Sequence, residues 1–182
     1  MKLVKFVVAA ALVASTQLNV FAQSPVTVGG APMYANKNII ENAVNSQDHT
    51  TLVAAVKAAG LVETLQGAGP FTVFAPTNAA FDKLPKGTVE TLVKPENKGT
   101  LTTVLTYHVV AGKYNAKDIA KLIKAGNGKA ELKTVQGGIL TASMEGKKLV
   151  LTDAKGGKSY VTIADVNQSN GVIHVIDTVV MP

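Results

Sequence analysis

The chain has 182 residues, and 47% of them are hydrophobic, which is enough to bury the core of one domain. Because the sequence contains no cysteine, we expect no disulfide, no thiolate metal site and no lipid anchor on an N-terminal cysteine. All basic residues are Lys, and the formal net charge is +6. Since Arg is the preferred residue for bidentate contacts with phosphate and guanine, this composition argues against specific nucleic-acid binding.

The first residues have the pattern of a secretory signal peptide. Lys2 and Lys5 precede a short apolar run over 6–14, and small residues suited to cleavage end at Ala22. Nine apolar residues are too few to span a bilayer, so we predict a signal peptide over 1–22 that is removed after export. The mature protein is then expected to be secreted or periplasmic, with no membrane span, and to carry 16 Lys against 12 acidic residues.

The following segment, residues 23–35, contains Pro, Gly and Ser and predicts a flexible leader in front of a domain over 36–182. Apolar residues at helical spacing begin there, with Asn38 as the expected cap of the first helix and Thr50 or Thr51 as the cap of the second. The helical patterns cover residues 36–46, 49–65, 85–95, 97–110 and 115–126.

A strand that runs directly into a capped helix is predicted over 69–85, GPFTVFAPTNAAFDKLP. Phosphate loops and nucleophile elbows occur at such junctions. A phosphate loop requires glycines after the strand, whereas here they precede it, and the Gly-x-Ser-x-Gly pattern of an elbow is missing. We therefore interpret the junction as structural, with Pro76 ending the strand and Thr77 or Asn78 capping the helix.

Short β-type segments punctuated by glycine dominate the last third of the chain. They cover residues 130–135, 138–144, 148–152, 159–163 and 172–180. EGKK and AKGGKS between them are typical of hairpin turns. Helices followed by an antiparallel sheet predict the α+β class.

The three histidines, at positions 49, 108 and 174, lack the spacing of a metal site and have no motif that pairs them with a nucleophile. His174 and Asp177 are three residues apart on a predicted strand, so they point to opposite faces. We interpret His108 and His174 as hydrogen-bonded core residues and expect no catalysis, no metal and no cofactor.

Three stretches together resemble the fasciclin domain family, and with their spacing the resemblance covers residues 36–182. They are TLVAAVKAAGLVETLQGAGPFTVFAPTNAAFDKLP, LTTVLTYHVVAGKY and IADVNQSNGVIHVIDTVVMP. The chain is similar to single-domain secreted bacterial members more than to multi-domain animal adhesion proteins. The resemblance implies an antiparallel β-sheet wedge flanked by helices, and a non-enzymatic role in adhesion or extracellular binding.

In animal relatives, adhesion is assigned to a Tyr-His pair and to an Asp-Ile pair, which correspond here to Tyr107 with His108 and to Asp165 with Val166. The animal motif has proline before the aspartate, where this chain has Ala164. A structural role is the alternative at each position. The apolar neighbours of the Tyr-His pair predict burial in the core, and Asp165 is expected in a turn, where its side chain binds backbone N–H groups.

The sequence therefore supports a secreted, monomeric adhesion module that binds a cell-surface or extracellular-matrix protein or polysaccharide. A periplasmic small-molecule carrier is the alternative, and it requires a sizeable apolar pocket with a few converging polar groups. A hydrolase that uses His108 or His174 is a third hypothesis, for which no motif places a base beside an activated nucleophile.

Overall fold

The computed structural model describes residues 24–182, so the predicted signal peptide lies outside the described residues. The helices are α1 Ile39–Ala43, α2 Thr50–Ala59, α3 Val62–Gln66, α4 Asn78–Asp82, α5 Thr88–Leu92, α6 Lys98–Tyr107 and α7 Ala116–Ala125, with 3₁₀ turns at Gln47–His49 and Pro95–Asn97. The strands are β1 Val26–Val28, β2 Ala31–Met33, β3 Phe71–Pro76, β4 Val109–Ala111, β5 Lys129–Lys133, β6 Ile139–Glu145, β7 Lys148–Thr152, β8 Lys158–Gln168 and β9 Gly171–Ile176.

Strands β3 to β9 form one seven-stranded sheet in the order β4-β3-β9-β8-β7-β6-β5. The α+β prediction is confirmed, and all seven described α-helices precede the uninterrupted run of strands β5 to β9. One pair departs from the predicted antiparallel pattern, because β3 and β9 are parallel. A parallel neighbour requires a crossover connection, and here everything between β3 and β9 supplies it.

The two edges of this sheet approach one another. Thr134, just after β5, forms a bridge with Val110 of β4, and the Val135 N–H donates to the Val109 carbonyl at 2.7 Å. The sheet therefore curls into a wedge rather than remaining open.

Successive side chains of the central strands point to opposite faces of the sheet, and each face is covered by its own core. In β3, Val73 and Ala75 pack under helices α1 to α6, in what we term core 1. Phe74, between them, faces core 2, which α7 closes with Ile119 and Ile123 against the strands β5 to β7.

The helix caps are partly as predicted. Asn38 and Glu41 form a capping box at α1, and the Thr77 side chain accepts from the Ala80 N–H at α4, so both predictions are confirmed. The predicted threonine cap of α2 is wrong, because the 3₁₀ turn places His49 at the cap position. The first turn of α2 is capped instead by Asn78, the first residue of α4, whose Oδ1 accepts from the Thr51 N–H at 3.0 Å.

Two segments differ from the sequence-based expectation. The predicted flexible leader over 23–35 contains the β1–β2 hairpin, whose Val28 and Met33 are buried in core 1. The predicted helix over 97–110 ends at Tyr107, because β4 begins two residues later. In both places packing against the rest of the domain decides the conformation.

Asn170, in the turn between β8 and β9, joins three distant parts of the chain. Its Oδ1 accepts from the Ile39 N–H at 3.1 Å, and its Nδ2 donates to the carbonyls of Leu65 and Gly67, both at 2.8 Å. The adjacent Gly171 allows β9 to approach β3, since a Cβ there would lie 2.0 Å from the Phe71 carbonyl oxygen.

We predict that Asn170→Ala lowers the free energy of unfolding by about 3 kcal/mol, because it leaves several buried backbone groups without a partner at about 1–3 kcal/mol each. Asn167→Ala is the matched control, since Asn167 is only half-buried and its amide donates locally to the Asp165 carbonyl. Urea denaturation of both variants measures the difference. Equal losses, both below about 1 kcal/mol, would contradict the role given to Asn170.

Candidate functional site

Tyr107, the last residue of α6, points into core 2 and is fully buried. Its hydroxyl donates to the Ile139 carbonyl at 2.7 Å and accepts from the Ala154 N–H at 3.2 Å. Burial raises the pKa of this hydroxyl, so it remains protonated and keeps its donor. The side chain thus connects α6 to β6 and to the loop after β7.

His108 lies on the other side of the same helix end and is 2% exposed. The Val180 N–H donates to its Nε2 at 3.2 Å, which requires that Nδ1 carry the proton and donate to the Val104 carbonyl at 2.8 Å. Burial lowers the pKa of His108 to about 4. The imidazole is therefore neutral and fixed in one tautomer at physiological pH.

Asp165 occupies an irregular part of β8, where the pairing with β9 shifts register, and its φ is +59°. Its Oδ1 accepts from the N–H of Ala116, the first residue of α7, at 2.6 Å. Asp tolerates this left-handed backbone better than most residues, and a carboxylate at a helix N-terminus is stabilising. The neighbouring Val166 is fully buried in core 1.

His174 reinforces this attachment of β8 to α7. Its Nδ1 accepts from the Asp165 N–H at 3.3 Å, and its Nε2 donates to the Tyr114 carbonyl at 2.8 Å. The ring stacks on Phe74 with centroids 5.6 Å apart, and burial lowers its pKa. The prediction that His108 and His174 are hydrogen-bonded core residues is confirmed.

His49 is a third buried histidine, whose role no sequence pattern predicts. Its Nδ1 lies 2.9 Å from the Ser46 hydroxyl oxygen, and burial lowers its pKa. Its position between the 3₁₀ turn and α2 results from the tertiary fold, and no local pattern marks it.

The four adhesion candidates do not form one surface. Tyr107 and His108 diverge into different surroundings, and within residues 24–182 no hydrogen bond joins either side chain to Asp165. Three of the four side chains are buried, and only Asp165 is partly exposed. Their contribution to adhesion stays a prediction, and the observed contacts give each of them a structural task.

A small apolar cavity of about 60 Å³ lies in core 1. Leu52, Val56 and Leu105 are among its apolar walls, and His49 and His108 also line it. Sites for drug-sized ligands occupy about 300–1,000 Å³, so this cavity is several times too small for one.

Within the part of the chain that the structure describes, no group of three or more His, Asp or Glu side chains is arranged to hold a metal ion. Over the same residues, none of the helices has the length and apolar character needed to cross a membrane.

The fold is similar to that of a solved FAS1 domain pair from the insect cell adhesion molecule Fasciclin I. The TM-score is 0.72 at 18% identity, and the match covers 87% of this chain and 58% of that one. At this level of identity the likeness establishes the fold class, an α+β domain of the FAS1 type.

The fasciclin domain family model matches residues 47–182, and the chain belongs to that family. It is 44% identical to Protein sll1483 of Synechocystis sp., over 96% of this chain and 97% of that protein. It is 37% identical to Immunogenic protein MPB70 of Mycobacterium bovis, over 77% of this chain and 66% of that protein. It is 35% identical to Cell surface glycolipoprotein MPB83 of Mycobacterium bovis, over 88% of this chain and 68% of that protein.

We predict that the domain loses stability as the pH falls below 6.5. The pKa of His108 is about 4 in the folded state against an ordinary 6.5, so only the unfolded chain takes up the proton between these values. The contribution of neutral His108 to the free energy of unfolding is fully present above the unfolded pKa of 6.5 and is lost as the pH falls toward 4. It accounts for a loss of about 2 kcal/mol between pH 7 and pH 5.

Urea denaturation at pH 7, 6 and 5 measures this loss in the wild-type protein and in His108→Gln. Glutamine keeps one donor and one acceptor but does not titrate, so the variant is expected to show a shallower slope with pH. The same slope in both proteins would contradict the assignment of a buried neutral imidazole at position 108.

Proposed function

We propose that the chain is exported by a signal peptide over 1–22 and that its mature domain is a non-enzymatic adhesion module, secreted or periplasmic. Its partner is a cell-surface or extracellular-matrix protein or polysaccharide, and the domain acts as a monomer. Membership of the fasciclin family supports this proposal, as does the similarity to two proteins, one a cell adhesion molecule and one a cell surface glycolipoprotein.

The proposal rests on the burial of side chains that could otherwise take part in acid–base catalysis. Tyr107, His108 and His174 are buried and spend their polar atoms on backbone groups. A general base requires a protonation state that changes near the working pH and access to a substrate. Neutral, enclosed imidazoles have neither, which favours a binding role for the exposed surface over catalysis.

The carrier hypothesis is less well supported. A carrier site combines an apolar cavity with convergent polar groups, and the cavity in core 1 has a volume of only about 60 Å³. We therefore place the function on the outside of the domain.

Tyr107, His108, Asp165 and Val166 then serve adhesion by holding the folded surface in place. Asp165 is the informative position, since it is the partly exposed member of the set. Asp165→Asn keeps an Oδ1 acceptor for the Ala116 N–H and also tolerates the left-handed backbone, so the fold is preserved while the charge is removed.

We predict that residues 23–182 coated on a surface retain cells only when folded, and that Asp165→Asn adheres within about twofold of the wild type. Asp82→Asn, a neutralised exposed carboxylate at the end of α4, is the control. Adhering bacterial and host cells are counted on native, variant and heat-denatured coatings, and circular dichroism verifies folding.

Adhesion that is lost in folded Asp165→Asn, but kept in Asp82→Asn, would make Asp165 a direct contact and contradict its structural role. Failure of the folded wild type to retain either cell type would contradict the adhesion proposal itself.

A further inference from the structure

The charges of the chain are distributed unevenly along the sequence. Residues 24–112 contain six Lys and six acidic residues, so their net charge is zero. Residues 113–158 contain ten Lys and four acidic residues, a net charge of +6. Residues 159–182 contain two Asp and no Lys. The excess of positive over negative charge in the described chain thus comes from one segment of 46 residues.

This segment forms one continuous part of the structure, which we term the basic lobe. It comprises α7, the strands β5, β6 and β7 and the first residue of β8, packed around core 2. The strands are consecutive neighbours in the sheet, and α7 packs on β5 and β6. The charge is therefore concentrated in space as well as in sequence.

Every lysine of the basic lobe is exposed. They are Lys113, Lys117, Lys121, Lys124, Lys129, Lys133, Lys147, Lys148, Lys155 and Lys158. Among the described residues, two of the ten form ion pairs, Lys121 with Asp118 at 3.8 Å and Lys158 with Glu145. Eight exposed ammonium groups are left without an ion-pair partner in that part of the chain.

Three of these lysines form a stripe along helix α7. Lys117, Lys121 and Lys124 follow one another at intervals of four and three residues, which places them on one side of α7, while Ile119 and Ile123 are buried. Lysines on an edge strand such as β5 also discourage sheet-to-sheet association. That explanation covers Lys129 and Lys133 and leaves the other eight lysines unexplained.

We propose that the basic lobe is the adhesive surface of the domain and that its partner is an anionic polysaccharide. This inference rests on the adhesion function proposed above and specifies the surface and the partner class. Lysine is a hydrated point charge on a flexible stem, which suits attraction to a flexible chain of carboxylates or sulfates more than bidentate recognition of a fixed group.

The exposed apolar residues of the lobe favour a polysaccharide over a membrane. A helix or sheet that binds a lipid surface presents its apolar residues on one face beneath its lysines. Four large hydrophobic residues of the lobe are exposed, and they lie on α7 (Leu122), between β5 and β6 (Val135) and on β6 (Ile139 and Met144). Ile139 and Met144 are five residues apart on β6 and so lie on opposite faces of the sheet. No single apolar face is formed by this pair.

The test compares two triple variants of the protein that lose the same charge. Lys117→Gln/Lys124→Gln/Lys133→Gln removes three unpaired lysines from the basic lobe. Lys57→Gln/Lys86→Gln/Lys94→Gln removes three exposed lysines from the charge-balanced first half. Lys57 and Lys124 each lie in the last turn of their helix, so effects on the helix dipole are also matched.

Binding is measured to alginate, to neutral dextran and to vesicles of phosphatidylglycerol and phosphatidylcholine, at about 20 and 150 mM salt, where screening differs strongly. We expect saturable alginate binding that weakens with salt, a loss of roughly tenfold in the lobe variant and less than about twofold in the control variant. Dextran is expected not to bind, and vesicles to bind more weakly than alginate.

Equal losses in the two triple variants would overturn the inference, because net charge alone would explain the binding. Stronger binding to vesicles than to alginate, or an absence of alginate binding, would also overturn it. Cell adhesion of the same proteins separates the two proposals. If the lobe variant adheres to cells as well as the wild type does, the basic lobe is not the adhesive surface, but the adhesion function stands. If the wild type binds alginate through the lobe but retains no cells, the lobe binds polysaccharide and the adhesion function is rejected.

Discussion

The end of helix α6 is the point on which the rest of the structure depends. Tyr107 enters core 2 while His108 contacts the cavity of core 1, so two consecutive residues connect the packing on both faces of the sheet. The backbone carbonyl of His108 also accepts from the Phe74 N–H at 2.9 Å, which fixes the helix end to the central strand β3. Loss of either side chain would leave buried backbone groups unpaired.

The same two residues determine where the distant parts of the chain lie. The Tyr107 hydroxyl binds β6 and the loop after β7, which belong to the basic lobe. His108 binds Val180, near the C-terminal end of the chain. Asp165 and His174 add a second attachment by holding the start of α7. A surface formed by the basic lobe is therefore rigidly placed although its lysine side chains are flexible.

Local patterns predicted much of the fold. The Asn38 cap, the helix ending near Gly126, the hairpin turns and the strand over 148–152 follow from periodicity and turn chemistry, and the structure has them. The β1–β2 hairpin also had a signal, since Gly29 and Gly30 lie between two short β-type runs, with φ of 57° and 75°. The same glycines, together with Pro and Ser, are also typical of a flexible segment, which is what we predicted there.

The remaining features depend on contacts between residues far apart in sequence. Asn170 and Ile39 are separated by 131 positions, and the parallel pairing of β3 with β9 joins Phe71 to Gly171, which is 100 positions away. The termination of α6 at Tyr107 results from the pairing of β4 with β3, which outweighs helix propensity. At the candidate site, the sequence identified Tyr107, His108, Asp165 and Val166, but only the structure shows what each contacts. The charge imbalance is visible in the sequence, whereas the exposure of the lysines and their grouping around core 2 are not.

Tyr107 and His108 thus hold the two cores together as one cooperative unit, on which the outer surface is built. Native-state hydrogen exchange of two amides tests this role most directly, namely the Ala154 N–H on the Tyr107 hydroxyl and the Val180 N–H on His108 Nε2. We expect both amides to exchange only through global unfolding, with the free energy that urea denaturation gives. Exchange of either amide through local opening, at a free energy several kcal/mol lower, would contradict it.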